Sequence, residues 1–295
     1  MVIKESAMKA KRIFAVIIAA VLVALSCVSA FAADSYFSLN GFSFEINSQG
    51  EAVIREYDKS NSSVVIPEKL LGAKVTEIAD YAFFGDAEMT SISFEKARWL
   101  KKIGSNAFYG CSGLTALCIG YSVTELGFGA FQSCGGLESV TLSSSLNEIP
   151  SQCFYNCDKL NGVIIGENVT KIGEYAFGNC SALDDIFIPA GVTVIPQNAF
   201  SGCGDLNISC YAASAAHEFA TENNIPYTLV DDYPLGDADG DKCVTINDAT
   251  YIQMYDVGMW DFERKFLFLF SDINNDGEVD IRDATFIQMR LAGMI

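Results

Sequence analysis

The sequence has very little histidine, proline and positive charge. Its 295 residues include one histidine, His217, six prolines, and 19 lysine and arginine residues against 37 aspartate and glutamate residues, a formal net charge of −18 at pH 7. A Ser-His-Asp or Cys-His nucleophile or a histidine-rich zinc site would therefore depend on one side chain. The acidic balance argues against nucleic-acid binding, which needs a basic surface. Half of the residues are hydrophobic, which predicts a globular chain, and no apolar run after residue 32 is long enough to span a membrane.

The first 32 residues have the pattern of a secretory signal peptide. Four basic residues within the first twelve precede an apolar run at residues 13–25, and Ala30-Phe31-Ala32 supplies the small residues of a cleavage site. A retained membrane anchor is the alternative, although the run is short for a bilayer. Cys27 leaves a lipid anchor open as well. We expect a secreted, extracellular protein that has lost residues 1–32.

Residues 61–210 are organised by a repeat of 23 residues that reads I-x-x-x-A-F-x-x-C-x-x-L-x-x-I-x-I. A unit this short cannot bury its own apolar face, whereas a stack of units buries a continuous core. The period therefore predicts a leucine-rich repeat solenoid. The columns that define it are Cys111, Cys134, Cys157, Cys180 and Cys203, then Phe108, Phe131, Phe154, Phe177 and Phe200, and Leu114, Leu137, Leu160, Leu183 and Leu206.

Alternating apolar residues in each repeat predict short parallel β-strands, one per turn, with the phenylalanine and cysteine columns behind the sheet. The ends of the array differ from the repeat, as terminal caps should. Residues 33–60 contain a predicted hairpin from Phe42 to Tyr57, and residues 211–230 contain a predicted helix and closing segment. The predicted strands are 91–94, 116–119, 140–142, 163–165, 186–188 and 207–210.

The repeat unit resembles the BspA-like leucine-rich repeats of bacterial surface and secreted proteins. The resemblance rests on the A-F-x-x-C-x-x-L-x-x-I motif, which recurs in five to six registers across about residues 60–210. We expect this architecture to serve as a binding module for a protein or glycan ligand.

One column of strand residues is a candidate ligand-binding face. The residue between two inward apolar residues of a strand should point out of the sheet. This column starts at Ser93 and becomes more apolar along the solenoid, and exposed apolar patches often mark partner sites. The alternatives are that a cap or loop covers the column, or that its apolar members are isolated. The predicted face consists of Cys118, Thr141, Ile164 and Phe187.

The cysteine column and the histidine each have a functional and a structural interpretation. The cysteines could serve redox or metal chemistry, or they could fill a tight corner as small apolar side chains. We expect the second. His217 falls in the predicted cap helix, and we expect it on the surface.

Composition changes after Val230. A junction at residues 231–234 precedes residues 235–295, where two acidic segments recur at an offset of 35 residues. Each matches the twelve-residue calcium loop of an EF-hand, in which positions 1, 3, 5, 7, 9 and 12 surround one ion with oxygen atoms. The expected ligands are Asp237, Asp239, Asp241, the Cys243 carbonyl, Thr245 and Asp248 in the first loop, and Asp272, Asn274, Asp276, the Glu278 carbonyl, Asp280 and Asp283 in the second.

The two loops differ at position 6. Gly277 allows the sharp turn in the second loop, whereas Lys242 in the first loop restricts the backbone and brings a positive charge near the ion. We therefore expect two Ca²⁺ ions, the first bound more weakly. The alternative is a pair of solvated acidic turns, but the same helical start, D-A-T-[YF]-I-Q-M, follows both loops.

The paired loops and helices resemble type I dockerins, the modules that attach secreted proteins to cohesins on cellulosome scaffoldins. The resemblance covers about residues 235–295 and implies a small all-α module that binds a scaffoldin cohesin in the presence of calcium. The Ser-Thr recognition pair of the family is absent, either helix could be presented, and the two methionines could instead pack between the helices. The cohesin contacts that the family implies fall on Ile246, Asn247, Gln253, Met254, Ile281, Arg282, Gln288 and Met289.

The sequence thus predicts a secreted, non-catalytic component of a cellulosome-type system for polysaccharide catabolism. The dockerin would bind a cohesin, and the repeats would bind a protein or glycan. A carbohydrate-active enzyme and a cell-surface adhesin are the alternatives. The enzyme would need paired carboxylates beside a cleft, and the acids of the repeats, such as Glu125 and Glu148, are scattered.

Overall fold

The computed structural model describes residues 36–231, 233–256, 271–273 and 279–294, so the expected signal peptide lies outside the described residues. The chain divides into two compact units, Met1–Phe37 and Ser38–Ile295. Within these described ranges the helices are α1 Ala215–Glu222, α2 Ile246–Asp256 and α3 Ile281–Leu291. The strands are β1 Phe37–Leu39, β2 Phe42–Ile46, β3 Ala52–Tyr57, β4 Ser63–Val65, β5 Lys69–Leu70, β6 Ala73–Ile78, β7 Ser91–Ser93, β8 Lys102–Ile103, β9 Ala116–Cys118, β10 Glu125–Leu126, β11 Ser139–Thr141, β12 Glu148–Ile149, β13 Gly162–Ile164, β14 Lys171–Ile172, β15 Asp185–Phe187, β16 Asn207–Cys210 and β17 Tyr227–Leu229.

A hairpin begins the solenoid. Strands β2 and β3 pair antiparallel, with Phe42 opposite Tyr57, as the sequence predicts. Strand β3 then runs parallel to β6, the first strand of the stacked turns. The Tyr57 ring lies 5.4 Å from the Phe83 ring, so the hairpin covers the end of the repeat core.

Most turns of the array contribute two strands, so the prediction of one strand per turn is wrong. The turn that holds β15 has a single bridge at Val194 in place of the second strand. The predicted three-residue strands are present and parallel, as in the sheet β9–β11–β13, although most end one residue earlier than predicted. A second set of two-residue strands, such as β8 and β10, places Leu126 beside Ile103. Two residues are too short to show a periodic pattern, and only the stacking of turns brings their backbone groups within hydrogen-bonding distance.

A ladder of stacked phenylalanine rings forms the centre of the repeat core. Successive rings lie 4.7 to 5.7 Å apart, with planes within 13° of parallel. Burial of each ring contributes about 1.5–3 kcal/mol of hydrophobic stabilisation. The stack therefore runs through the array without a polar interruption. Its members are Phe83, Phe108, Phe131, Phe154, Phe177 and Phe200.

The repeat cysteines form a second ladder beside the rings. Each thiol donates a hydrogen bond of 3.1–3.3 Å to the backbone carbonyl of the ladder phenylalanine one turn earlier, as Cys134 does to Phe108. Burial raises the pKa of Cys157 to about 12 and that of Cys203 to about 11. The nine cysteines from Cys111 to Cys243 form no disulfide bond. These buried, hydrogen-bonded thiols are consistent with the expectation that the cysteines fill a tight corner of each turn as small side chains.

Helix α1 and strand β17 close the far end of the array. Ser214 caps α1 by accepting the backbone N–H of His217, and the Phe219 ring lies 5.9 Å from the last ladder ring, Phe200. Strand β17 extends the sheet parallel to β16. His217 lies half-buried on this cap, where its ring packs 4.7 Å from Tyr227 and its Nδ1 accepts the Ala213 N–H.

In the described part of the C-terminal module, helices α2 and α3 pack against each other. Their inner faces are buried and nearly identical, with Ala249 and Ile252 on α2 and Ala284 and Ile287 on α3. No helix among the described residues is long and apolar enough to cross a membrane.

Candidate functional site

The first acidic loop brings three carboxylates together. Asp237, Asp239 and Asp248 each offer one oxygen atom, and these atoms lie within 4.8 Å of one another. Asp237 and Asp248 are fully buried, and Asp239 is half-buried. Burial is the main cause that raises the pKa of Asp237 and Asp239. Buried carboxylates are costly unless a counter-charge or hydrogen bonds satisfy them.

Backbone hydrogen bonds fold this loop around its carboxylates. Asp237 accepts the N–H groups of Gly240 at 2.8 Å and Lys242 at 2.9 Å. Asp248 accepts the N–H groups of Ala238 at 2.7 Å and Thr245 at 2.7 Å. The start of α2 is thereby tied to the start of the loop ten residues earlier.

Of the remaining expected ligands of the first loop, the Asp241 carboxylate is not part of the three-carboxylate cluster. Asp241 and Cys243 are exposed, and Asp241 Oδ1 accepts the Cys243 N–H at 2.8 Å. Thr245 Oγ1 lies 3.4 Å from Asp248 Oδ2. Lys242 at position 6 takes a left-handed backbone with φ of +70°, a conformation that favours glycine, and its Nζ lies 5.2 Å from the Tyr233 ring centre.

The described part of the second loop repeats the local geometry of the first. Asp283 is fully buried, and its Oδ2 accepts the Asp280 N–H at 3.0 Å, just as Asp248 accepts Thr245. Asp280 caps α3 and pairs with Arg282 at 2.6 Å, and this hydrogen-bonded pairing lowers the pKa of Asp280. The expected ligands Asn274, Asp276 and Glu278 lie outside the described residues.

The donor chemistry of the first loop fits calcium. Ca²⁺ is a hard cation that takes carboxylate and carbonyl oxygens, and the cluster consists only of carboxylates. A soft or imidazole-preferring metal would find no matching ligand in these three side chains. All three carboxylates also accept backbone N–H groups, Asp239 from Asp241 at 3.1 Å, so the cluster is largely organised in advance.

The eight candidate cohesin contacts lie on α2 and α3. Ile246 and Ile281 are exposed at corresponding positions, where each helix begins. Asn247, Arg282 and Gln288 are also exposed, whereas Gln253, Met254 and Met289 are half-buried.

The predicted repeat face holds only in part. Cys118 and Ile164 are exposed and Thr141 is half-buried, but Phe187 is only 5% exposed and does not belong to a free surface. Its ring packs at 5.9 Å against Tyr211 and belongs to the apolar cluster of the C-terminal module, with Val230 and Tyr233. The prediction for Phe187 was wrong because distant residues cover it, and repeat periodicity carries no signal for that contact.

Stacked turns, parallel strands and an internal phenylalanine ladder define a leucine-rich repeat solenoid. The family model described as BspA type leucine rich repeat region matches residues 76–207 in six copies, so this part of the chain is similar to that family of repeats.

Solved structures of bacterial proteins are similar to this chain. A leucine rich cell surface protein from Faecalibacterium prausnitzii A2-165 is 27% identical, with a TM-score of 0.51 over 61% of this chain and 55% of that protein. The chain thus spans about half the length of that relative. A leucine-rich repeat protein from T. pallidum is 24% identical over 59% of this chain and 71% of its own, with a TM-score of 0.41. A leucine-rich repeat protein from Eubacterium ventriosum ATCC 27560 is 21% identical over 57% of this chain and 50% of its own, with a TM-score of 0.44. No curated protein matches the sequence.

Proposed function

We propose that this is a secreted, non-catalytic binding protein whose C-terminal module attaches the chain to a cohesin on a scaffold. The cluster of Asp237, Asp239 and Asp248 at the start of α2 carries this proposal. The helix start D-A-T-[YF]-I-Q-M, which begins at Asp248, recurs at Asp283, and both helices expose an isoleucine at their first position. Paired acidic loops, each followed by such a helix, are the features by which this module resembles type I dockerins.

Calcium is the proposed cofactor, with one ion at each loop. Asp237, Asp239 and Asp248 would hold the first ion, together with the other expected ligands of that loop. When bound, the ion would neutralise carboxylates that burial now penalises, and its binding energy would stabilise the folded module. The first site would be the weaker one because Lys242 occupies the left-handed position.

The repeat region would hold a protein or glycan ligand. The solved F. prausnitzii protein is described as a cell surface protein, which supports a surface or extracellular location for this chain too. The exposed strand residues Cys118 and Ile164 remain the candidate contact face. If the ligand belongs to a host or neighbouring cell, the same architecture would act as an adhesin.

A binding assay with the full chain tests this function. Purified type I cohesin modules would be titrated with residues 33–295 and with the same chain ending before Pro234, each with calcium and with a chelator. Binding that needs both the C-terminal residues and calcium supports the proposal. Failure of every cohesin to bind the full chain in calcium would contradict it. Release of reducing sugars from plant polysaccharides would instead favour the carbohydrate-active alternative.

A further inference from the structure

A second surface of the repeats carries exposed aromatic side chains. We define this turn face as the third and second residues before each ladder phenylalanine and the first and second residues after it. Backbone hydrogen bonds hold successive turns in register here, as between the Tyr81 N–H and the Ser105 carbonyl at 3.0 Å. The aromatic members of the turn face are Tyr81, Phe84, Tyr109, Phe128, Tyr155 and Tyr175.

Two of these tyrosines occupy backbone positions that do not favour tyrosine. Tyr81 and Tyr175 have φ of +61° and +53°, in the left-handed region where a bulky side chain is strained. The same position of the intervening turns is also left-handed and holds Asn106, Gly129 and Gln152. Glycine and asparagine are the residues that tolerate this conformation best. Local backbone preference therefore does not explain the two tyrosines.

Packing accounts for these tyrosines only in part. Tyr81 is 56% exposed and Tyr175 is 37% exposed. The Tyr81 ring is turned 57° from Phe84, and the Tyr175 ring is turned 85° from Tyr155. Neither ring joins a parallel stack such as that of Phe84 on Tyr109, whose planes lie within 9° of parallel. Exposed rings that are held at a cost in the backbone mark a functional surface rather than a core.

Amide side chains accompany the rings. Asn106 Nδ2 donates to the Tyr81 hydroxyl at 3.4 Å, and Asn179 Nδ2 donates to the Tyr155 hydroxyl at 3.1 Å. An amide group offers both hydrogen-bond donors and an acceptor. The turn face therefore combines aromatic rings with neutral groups that can pair with hydroxyls.

The turn face carries little charge for a chain with a net charge of −18. Across its positions, all of which the structure describes, the only charged residues are Asp80 and Glu174. Lys59 reaches its edge, where Nζ donates to the Gly85 carbonyl at 3.1 Å. A ligand rich in phosphates or carboxylates would find no cluster of cations among these positions.

We propose that the turn face binds a neutral glycan chain whose sugar rings stack on its tyrosines. The C–H groups of a pyranose ring pack on the face of an aromatic ring, and the sugar hydroxyls need the donors and acceptors that amides supply. Tyr81 and Tyr175 are four turns apart, roughly 20 Å at the usual spacing of stacked strands, so the ligand is an extended chain. The inference rests on the proposed function only for the existence of a repeat ligand, and it places that ligand away from Cys118 and Ile164.

Tyrosine-to-asparagine substitutions test the site, because they introduce the residue found at Asn106 in the same left-handed position. The probes are the neutral hexasaccharides cellohexaose, xylohexaose and mannohexaose, titrated calorimetrically into the full-length protein. Tyr81→Asn and Tyr175→Asn should each weaken the binding of those that bind by about tenfold. The melting temperature should stay unchanged or rise by about 2–4 °C, because strain is relieved. A lower melting temperature with unchanged affinity would assign the tyrosines a structural role and overturn the proposal.

Tyr121→Asn is the matched control. Tyr121 is 72% exposed but lies between β9 and β10, outside the turn face. This substitution should change glycan affinity less than about twofold. A loss equal to that of Tyr81→Asn would contradict a site on the turn face. Acidic hexagalacturonate should bind at least about tenfold more weakly than the neutral probes, because Asp80 and Glu174 repel its carboxylates. Tighter binding of the acidic chain would contradict a neutral ligand.

Purified cohesin separates this inference from the proposed function. Its affinity should be the same for the parent chain and for Tyr81→Asn, and a loss would assign the turn face to a protein ligand instead. If a neutral hexasaccharide binds and no cohesin does, the proposed attachment fails and the glycan site stands. If cohesin binds and none of the three hexasaccharides binds at millimolar concentration, the glycan site is refuted and the attachment stands.

Discussion

The repeat region and the C-terminal module build their cores in different ways. In the repeats each ladder ring meets the same residue of the next turn, so the array supplies its own partners. The two helices of the module bury only small inner faces, and their cluster includes Phe187 from the repeats. A module of this size has little core to bury alone. A regular array is therefore self-sufficient, whereas the module shares its core with a residue of the repeats and, as we propose, binds ions.

The largest expected effect breaks the array at its centre. Phe131→Ala removes a fully buried ring that stacks on Phe108 and Phe154, and should lower the free energy of unfolding by about 3–5 kcal/mol. Phe128→Ala, in the same turn, removes a ring that is 46% exposed and should cost less than about 1 kcal/mol. Urea unfolding measures both. Similar losses would mean that the ladder does not carry the stability of the array.

Calcium should act on the module alone. At a free concentration of about one hundred times its Kd, an ion bound only by the folded state adds about 2.7 kcal/mol. Thermal unfolding of the full chain should then show a shift of the transition that includes α2 and α3. Asp272→Ala should remove more of this shift than Asp237→Ala, because Lys242 weakens the first loop. Equal effects would contradict the ranking, and no shift would contradict calcium binding.

High pH should weaken the array through its thiols. An unfolded thiol ionises near pH 8.5, whereas burial raises the pKa of Cys157 to about 12 and that of Cys203 to about 11. Their contribution is therefore complete below about pH 8.5 and is lost as the pH rises toward these raised values, at roughly 1.4 kcal/mol per pH unit for each thiol. Urea unfolding between pH 8 and 10.5 measures the slope. Cys157→Ala should make it shallower, and an unchanged slope would assign it to other groups.

The smallest expected effect concerns a single thiol hydrogen bond. Cys134→Ala removes the 3.1 Å bond to the Phe108 carbonyl and should cost about 1 kcal/mol. Cys118→Ala, on the exposed sheet face, should change stability by less than about 0.5 kcal/mol. Chemical unfolding under reducing conditions compares the two. A larger cost at Cys118 would indicate that the sheet face is covered.

Much of the repeat fold could be predicted because every turn must bury the same apolar positions against its neighbours. The alternating segments located the three-residue strands, and the spacing of the phenylalanines located the core. The second set of strands, such as Lys102–Ile103 and Glu125–Leu126, could not be predicted, since a strand of two residues is too short to show an alternation of apolar and polar side chains. Its pairing depends on how closely the turns stack.

The candidate calcium loops were also visible in the sequence, because ligand positions in such a loop are local. Spacing placed Asp237, Asp239 and Asp248 in one set, and the structure brings their oxygens together. The expected exposure of Phe187 was wrong for the opposite reason. Phe187 meets Tyr211 and the C-terminal cluster, so its burial depends on contacts that no local pattern encodes.

The sequence by itself determined the solenoid, its period and the acidic loops, because stacking and ion ligation both require particular residue types at fixed spacings. Only the tertiary structure decided that the end of the strand column is buried. The physical reason is that repeated residues acquire different environments once distant parts of the chain pack on one copy and not on another.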